Sequence, residues 1–420
     1  MSSKTCILIS GGGIAGAVAA YYLSRNQNNE VTIIERSKEI RTTGQNIDIR
    51  GAGIRVIQAM GIEDAIKNNN TAEKGLRFVD EKNNIKAEFP VLERGEKGFS
   101  FTNEIEIMRG DLVKVLYDVT KEKAKYRFGT QITNMVEVDD GVDIWLNEDE
   151  SPTKFDFVIA ADGQNSKTRG LMLETVKDGS NNVEVKSLQQ FVAFYTIPRA
   201  DSDESFARWY NATGGRLIFL RPVNDEVSSV NIGVTGRDSE IQDLIQMNFD
   251  EQKVRLQGLF KDAGWESQRV LEGMKDARDY YAQHVAQIHM KKWSSPGGRV
   301  ALIGDAAYCP TPVTGMGTTL AILGGYILAG ELGKEIAGSS RKPSQDCLRN
   351  ACQRYEEIFR PYVEKAQKIP LGVPKVANPQ TSFGISLVHA FVGFVSWSGL
   401  AKVFGDDTNP AEDWPEMPSY

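Results

Sequence analysis

Residues 299–332 read RVALIGDAAYCPTPVTGMGTTLAILGGYILAGEL, and the chain assembles around them. Val300 to Ile303 is a continuous apolar run, the pattern of a strand buried on both faces. Gly304-Asp305 places an acid at the strand's end, and Pro310 to Gly317 is a Pro/Gly loop. Thr318 to Leu332 predicts an apolar helix. A strand that delivers an acid into a loop opening a helix is a ligand-binding shape. The first N–H groups of that helix have no intrahelical partner and lie at the positive end of its dipole.

Working outward, 420 residues suggest two or three domains at roughly 150 residues each. With 41% hydrophobic and 25% charged residues the composition is that of a folded globular protein. A net charge of −7 speaks against nucleic acid as a partner. The four cysteines and three histidines have no zinc-site spacing, so no metal is expected, and the thiols fit a reducing, cytoplasmic setting. Residues 1–5 are polar and run into a strand without the look of a signal peptide.

Thr5 to Ser10 is a second apolar strand, and Gly11-Gly12-Gly13-Ile14-Ala15-Gly16 follows at once. A helix over Ala17 to Arg25 and a strand over Glu30 to Glu35 complete a βαβ unit. Gly11, Gly13 and Gly16 hold the G-x-G-x-x-G positions, and Glu35 lies nineteen residues beyond the third glycine. Glycines at these places allow a tight turn, close approach to a pyrophosphate and tight helix packing, while the acid accepts hydrogen bonds from a ribose. Further on, the sequence predicts a helix over Ile54 to Asn68, a hairpin over Leu76 to Phe89 and a helix opening at Arg109. It also predicts a meander made of Tyr126 to Val138, Val142 to Leu146 and Phe155 to Ala160, ending at Asp162-Gly163. Gln190 to Pro198, Phe206 to Tyr210, Arg216 to Pro222 and Val227 to Thr235 read as antiparallel strands of an inserted sheet. Ser239 to Ala263 and residues 344–368 read as helices. Ile385 to Phe404 is mostly apolar. Its polar interruptions favour a packed interdomain helix over a membrane span and leave room only for a peripheral membrane contact.

Three signals thus occur in order: the glycine nest, Asp162-Gly163, and Gly304-Asp305 before the Pro/Gly loop. Together they resemble the single-component FAD-dependent aromatic hydroxylases related to p-hydroxybenzoate hydroxylase, and most of all the tetracycline-inactivating flavin monooxygenases and their fungal relatives. The resemblance implies an α/β fold with a Rossmann-like, three-layer FAD-binding domain (1–75, 100–186 and 285–370). It also implies an antiparallel-sheet substrate domain (76–99 and 187–284) and a C-terminal helix and tail (371–420). Gly11, Gly13, Ile14, Ala15 and Gly16 would carry the FAD pyrophosphate, with Glu35 on the ribose and Arg36 beside the adenine. Arg109 would reach the diphosphate or ribityl region, Asp162 and Gly163 form the family's dual FAD/NAD(P)H motif, and Asp305 would bind the ribityl chain. Pro312, Gly315, Met316 and Gly317 would lie against the flavin ring, with the amides of residues 315–317 facing N1 and the C2 carbonyl. Arg41 and Asp48 match an NADPH-linked arginine and an FAD-contacting aspartate; read alone, they are equally a surface arginine and a turn cap.

No second nucleotide fold is apparent, so NADPH or NADH would visit as a co-substrate. The implied chemistry is oxygenation through a flavin C4a-hydroperoxide, taking one atom of O2 into a phenolic, enolic or polyketide-like ring, with no side-chain nucleophile required. The protein is expected to be a monomer or weak dimer. Substrate contacts are sought on the inserted sheet: Gln190, Val192 and Phe194 (or the alternate set Phe191, Ala193 and Tyr195, which the period-two pattern does not separate), with Arg208, Tyr210, Arg216 and Phe219. His284 and His289 read as structural. Cys309 reads as a small buried side chain rather than a covalent flavin anchor. Two other readings stand beside this one. A flavin-dependent halogenase lacks support, because Trp293 has no partner in a W-x-W-x-x-P signature. A non-catalytic escort on the same scaffold would have no need of Asp305 or Pro312.

Overall fold

The computed structural model describes residues 4–400 apart from 43, 72, 92–104, 177–178, 338–341 and 371, together with residues 418–420. Residues 92–99 of the expected substrate domain and 401–404 of the apolar tail therefore lie outside the described residues. A five-stranded parallel sheet forms the first layer, in the order Val300–Leu302, Phe157–Ala160, Thr5–Ser10, Asn29–Glu35 and Lys125–Phe128. Its central strands are buried almost completely, as their unbroken apolar runs require. Helices Ile14–Leu23 and Gly317–Ala337 cover one face and pack closely, since Gly325 lies 2.6 Å in Cβ terms from the carbonyl oxygen of Ala15. Strands Ile132–Val138, Gly141–Leu146 and Thr153–Phe155 make a separate antiparallel meander.

A seven-stranded sheet runs in the order Tyr281–Met290, Val183–Pro198, Val227–Thr235, Arg216–Pro222, Ala207–Ala212, Gly75–Val79 and Ile85–Pro90. Cross-strand register assigns its two faces. Phe194 is opposite Asn231, Asn231 opposite Phe219, and Phe219 opposite Trp209, so these four share one face. Phe191, Ala193, Tyr195, Ile218, Ile232 and Tyr210 lie on the other, in a core with helices Asp238–Gln246, Phe249–Phe260 and Ser267–Asp276. Strands Asn46–Asp48 and Glu106–Met108 pair as a small ribbon between the two large sheets.

Several expected elements are split where local chemistry dictates. Tyr126 to Val138 is two strands, because Gly129 turns with φ +63°, and its first part joins the parallel sheet rather than the meander. The helix expected over 54–68 is Ala52–Ala59 and Glu63–Lys67, broken at Gly61 with φ +71°. That expected over 239–263 is broken by a capping box in which Asn248 and Glu251 satisfy each other's backbone amides. The C-terminal helix Ser382–Ser398 docks on the hairpin end of the large sheet. Val392 and Val395 rest on the Phe78–Phe89 cluster, and Ser396 donates to the carbonyl of Glu88 at 2.8 Å. Phe383, Leu387, Phe391, Phe394 and Trp397 point outward from it. No helix among the described residues is long and apolar enough to cross a membrane.

Candidate functional site

One end of the cleft is made by the glycine nest. Gly11 has φ +110°, and a side chain there would overlap the backbone of Ala161 in the neighbouring strand. A side chain on Gly16 would overlap the carbonyl of Gly11, so this glycine lets the helix start directly above the strand. Gly13 is the N-cap of Ile14–Leu23 and has no side-chain cap, and the guanidinium of Arg109 lies 3.9 Å from its Cβ position. The helix N-terminus and a cation are thereby aimed at one place, a site shaped for a phosphate group. Ile14 and Ala15 form the first turn beneath it. Glu35 accepts from the amide of Gly12 at 3.1 Å and from Ser37 at 2.9 Å, and Arg41 pairs with it at 3.5 Å. Arg41 thus sits at the Glu35 end of the cleft, half exposed, and Arg36 next to Glu35 is exposed as well.

Arg109 continues the site toward its middle. Thr42 and Gly44 lie against it: a side chain on Gly44 would come within 2.8 Å of Cβ of Arg109, and one on Gly110 would overlap Thr42. Asp305 follows Gly304, whose φ of +62° turns the chain beside Ala15. Burial lifts the Asp305 carboxyl above the usual range, and Arg109 works in the opposite direction. Tyr281 stacks on Phe194 with centroids 4.9 Å apart, and its hydroxyl bonds Gln45. Burial raises its phenol, opposed by nearby Arg109. Tyr281 and Gln45, which the sequence reading missed, therefore join the large sheet to the middle of the cleft. The Tyr280-Tyr281 pair entering a strand was the available signal.

Asp162 turns inward. It accepts from Thr168 at its amide (3.0 Å) and hydroxyl (2.9 Å), and from Ser166, and so secures helix Lys167–Glu174, while Gly163 makes the turn with φ +86°. Arg169 ties this turn to the Asp305 segment by donating to the carbonyls of Ala306 (2.9 Å) and Gln164 (2.8 Å).

The other end of the cleft is the Pro/Gly loop. Thr311 has φ +82°, unusual for a β-branched residue, and its hydroxyl oxygen is buried without a partner. Pro312–Thr314 is one 3₁₀ turn closed by Gly315 at φ +64°. The amide of Gly315 donates to Pro312 (3.1 Å) and that of Met316 to the Thr314 hydroxyl (3.2 Å). These two are consumed inside the turn, which corrects the expectation that residues 315–317 all offer amides. The outward donors start at Gly317, the first residue of the long helix. Asp48 is brought to this loop through its 3.0 Å ion pair with Arg50, whose guanidinium lies 3.3 Å from the Cβ position of Gly315. Arg50 was not foreseen.

The sheet face carrying Gln190, Val192, Phe194 and Phe219 looks into the cleft, as the Tyr281 stack shows. Arg208, Tyr210 and Arg216 are corrections. Their side chains lie on the opposite face, where Arg208 pairs with Asp203 at 2.6 Å, Tyr210 bonds the carbonyl of Ala263 and Arg216 pairs with Asp262 at 2.6 Å. A cavity of about 400 Å³ opens between Thr42, Gly44 and Met108 on one side and Thr196 with the 276–279 segment on the other, and no residue of the Pro/Gly loop lines it. His284 bonds Ser187 at 2.8 Å, and Cys309 is buried with its thiol pushed up by desolvation, the state of a packed, unreactive sulfur.

The chain matches the FAD binding domain family over residues 4–356. It is 36% identical to a flavin-dependent monooxygenase of a Phoma species, eupH, over 99% of this chain and 97% of that one. It is 34% identical to monooxygenase CTB7 of Cercospora beticola over 100% and 98%. Among solved structures, tetracycline destructase Tet(51) superposes with a TM-score of 0.76 at 28% identity, covering all of both chains. HpxO of Klebsiella pneumoniae, solved with FAD and uric acid, shares the fold with a TM-score of 0.70 at 17% identity over 98% of each chain.

Proposed function

This chain belongs to the FAD binding domain family and is an FAD-dependent monooxygenase, and from that premise we propose that it inserts one oxygen atom of O2 into a phenolic, enolic or polyketide-like ring, with NADH or NADPH as electron donor and the cytoplasm as its setting. The residues present fit the cofactor. The cradle at Gly11 and Gly16 is one that any side chain would fill, and the uncapped helix end faces Arg109. Gly11, Gly13, Gly16 and Arg109 would hold the pyrophosphate, Glu35 the ribose, Asp305 the ribityl chain and Pro312 to Gly317 the ring. When bound, FAD supplies the redox chemistry that activates O2. The chain's own groups position, desolvate and stabilise charge. Gly317 at the start of a 21-residue helix offers amides and positive potential to the ring, and Arg50 adds a cation at the Gly315 turn. The fungal and prokaryotic relatives named as monooxygenases, and the neighbour named as a tetracycline destructase, support a substrate of this kind.

The observation that carries the substrate reading is the row Phe194, Asn231, Phe219 and Trp209 on the cleft-facing sheet. It is an aromatic wall with one buried amide oxygen, that of Asn231, left without a partner. Such a wall selects a flat apolar ring, and the orphaned acceptor calls for an O–H donor, which a phenol or enol supplies. The purified protein should be yellow, and NAD(P)H oxidation with phenols and enolic diketones should place ¹⁸O from ¹⁸O₂ in one product. Peroxide without product across the whole panel would count against oxygenation, and a colourless protein that FAD cannot restore would end the cofactor reading.

A further inference from the structure

A buried charge cluster joins the sheet wall to the ring loop. Arg221, on the same face as Phe219 and 5.1 Å over its ring, donates to Glu73 at 2.9 and 3.1 Å and approaches Glu106 at 2.7 Å. Glu106 is 1% exposed, and neither carboxylate oxygen has a well-oriented hydrogen bond. The Arg221 contact is therefore close but poorly aimed. Register places Asp48 directly opposite Glu106 in the small ribbon, on the same face, and Asp48 pairs with Arg50 at the Gly315 turn. The groups facing Glu106 are thus Arg221 from the sheet, Glu73 from the segment before it, and Asp48 and Asn46 from the partner strand.

We infer that Glu106 is a proton-holding positioning residue that sets the charge presented to the flavin ring, through Asp48 and Arg50 at the Gly315 turn and through Arg221 at the sheet wall. The inference rests on the cofactor reading above. Three carboxylates share this interior with two guanidinium groups, so the cluster is neutral only when one acid keeps its proton, and otherwise carries one net negative charge. Glu106 is the acid best placed to keep it. Arg221 grips Glu73 with two bonds and Arg50 holds Asp48, whereas Glu106, as enclosed as Glu73, meets Arg221 through one oxygen only and leaves the other to carry a carboxyl O–H. Burial, with Glu73 and Asp48 adding to it, pushes its carboxyl up to about 8 despite Arg221. Loss of that proton to solvent would set a net negative charge beside Arg50 and weaken its support for negative charge on the ring.

Two measurements test this. The first needs no flavin. Proton binding favours the folded state because the folded value lies above the ordinary carboxylate value. The stabilisation is complete below about 4.5 and is lost as pH rises through about 8. Urea unfolding of the apoprotein should therefore show wild-type stability falling across pH 5–8.5 relative to Glu106→Gln, with the difference between the two following one ionisation. The second reads the midpoint potential of bound FAD from pH 6 to 9.5. The wild type should show a downward break near pH 8 that Glu106→Gln lacks. A folded Glu106→Gln protein with the wild-type pH profile in either measurement overturns the inference. If neither protein binds FAD, the cofactor reading fails while the urea comparison still decides whether Glu106 holds the proton. Should Glu106→Gln not fold, Asp48→Asn removes a like charge and should shift the potential break to lower pH; an unmoved break overturns the inference.

Discussion

At the nest end of the cleft, Gly11, Gly13, Gly16 and Glu35 come from one continuous run of sequence, and the site is made by backbone that side chains would obstruct. At the loop end, Arg50, Glu106, Asn231 and the Thr311–Gly317 turn come from segments far apart in the chain and meet only through tertiary packing. The first kind of site tolerates no added atoms at Gly11 or Gly16, and most of it is written in one stretch of chain. The second depends on every partner, and can be retuned by changing one of them.

Gly16→Val should break the nest most severely. Its branched side chain meets the Gly11 carbonyl, and FAD affinity measured by fluorescence titration of the apoprotein should fall on the order of 10⁴-fold, about 5.5 kcal/mol. Near-normal affinity would mean that the nest is not the anchor. At the other end, Arg221→Met leaves Glu73 and Glu106 without their shared cation and should cost about 3–5 kcal/mol in urea unfolding while the nest stays intact. Loss well under 1 kcal/mol would show that the cluster is solvated rather than closed. Arg109→Ala, between the two ends, should weaken FAD by roughly 10–100-fold, the scale of a charge-assisted hydrogen bond, and an unchanged titration would remove it from the site. The smallest effect is expected from Asn231→Leu, which should raise KM for the best phenolic substrate roughly 10-fold with FAD affinity unchanged. A parallel loss of FAD would instead assign Asn231 to the cofactor.

The same contrast explains what was legible in the sequence. Glycine positions, a strand-end acid and a loop before an apolar helix are local patterns, so the nest, Asp305 and the Pro/Gly turn could be placed before any coordinates. Period-two alternation says that Gln190, Val192 and Phe194 share a face but not which way it looks, and only register with Asn231 and Tyr281 decides that. Arg208 and Arg216 misled because an arginine in a strand reads as open to solvent or ligand. Here three helices cover that face, and each guanidinium is answered by an acid, Asp203 or Asp262. Glu106 carried no signal, since its neighbours Asp48, Glu73 and Arg221 are gathered from three other stretches of chain.

The rooting of the Pro/Gly loop bears on how a bulky substrate reaches the ring. Just before it, Tyr308 is buried between Trp293 and Phe359 and bonded to Tyr355 at 2.9 Å; just after it, the long helix is pressed on Ile14–Leu23. Both roots belong to the most enclosed part of the molecule, which opens only at a free energy close to that of global unfolding. A loop rooted in this way at both ends has little freedom to swing as a lid. Any motion that limits turnover should therefore be sought in the seven-stranded sheet and helix Ser382–Ser398 on its end, where faster hydrogen exchange than at the loop roots is the expected outcome.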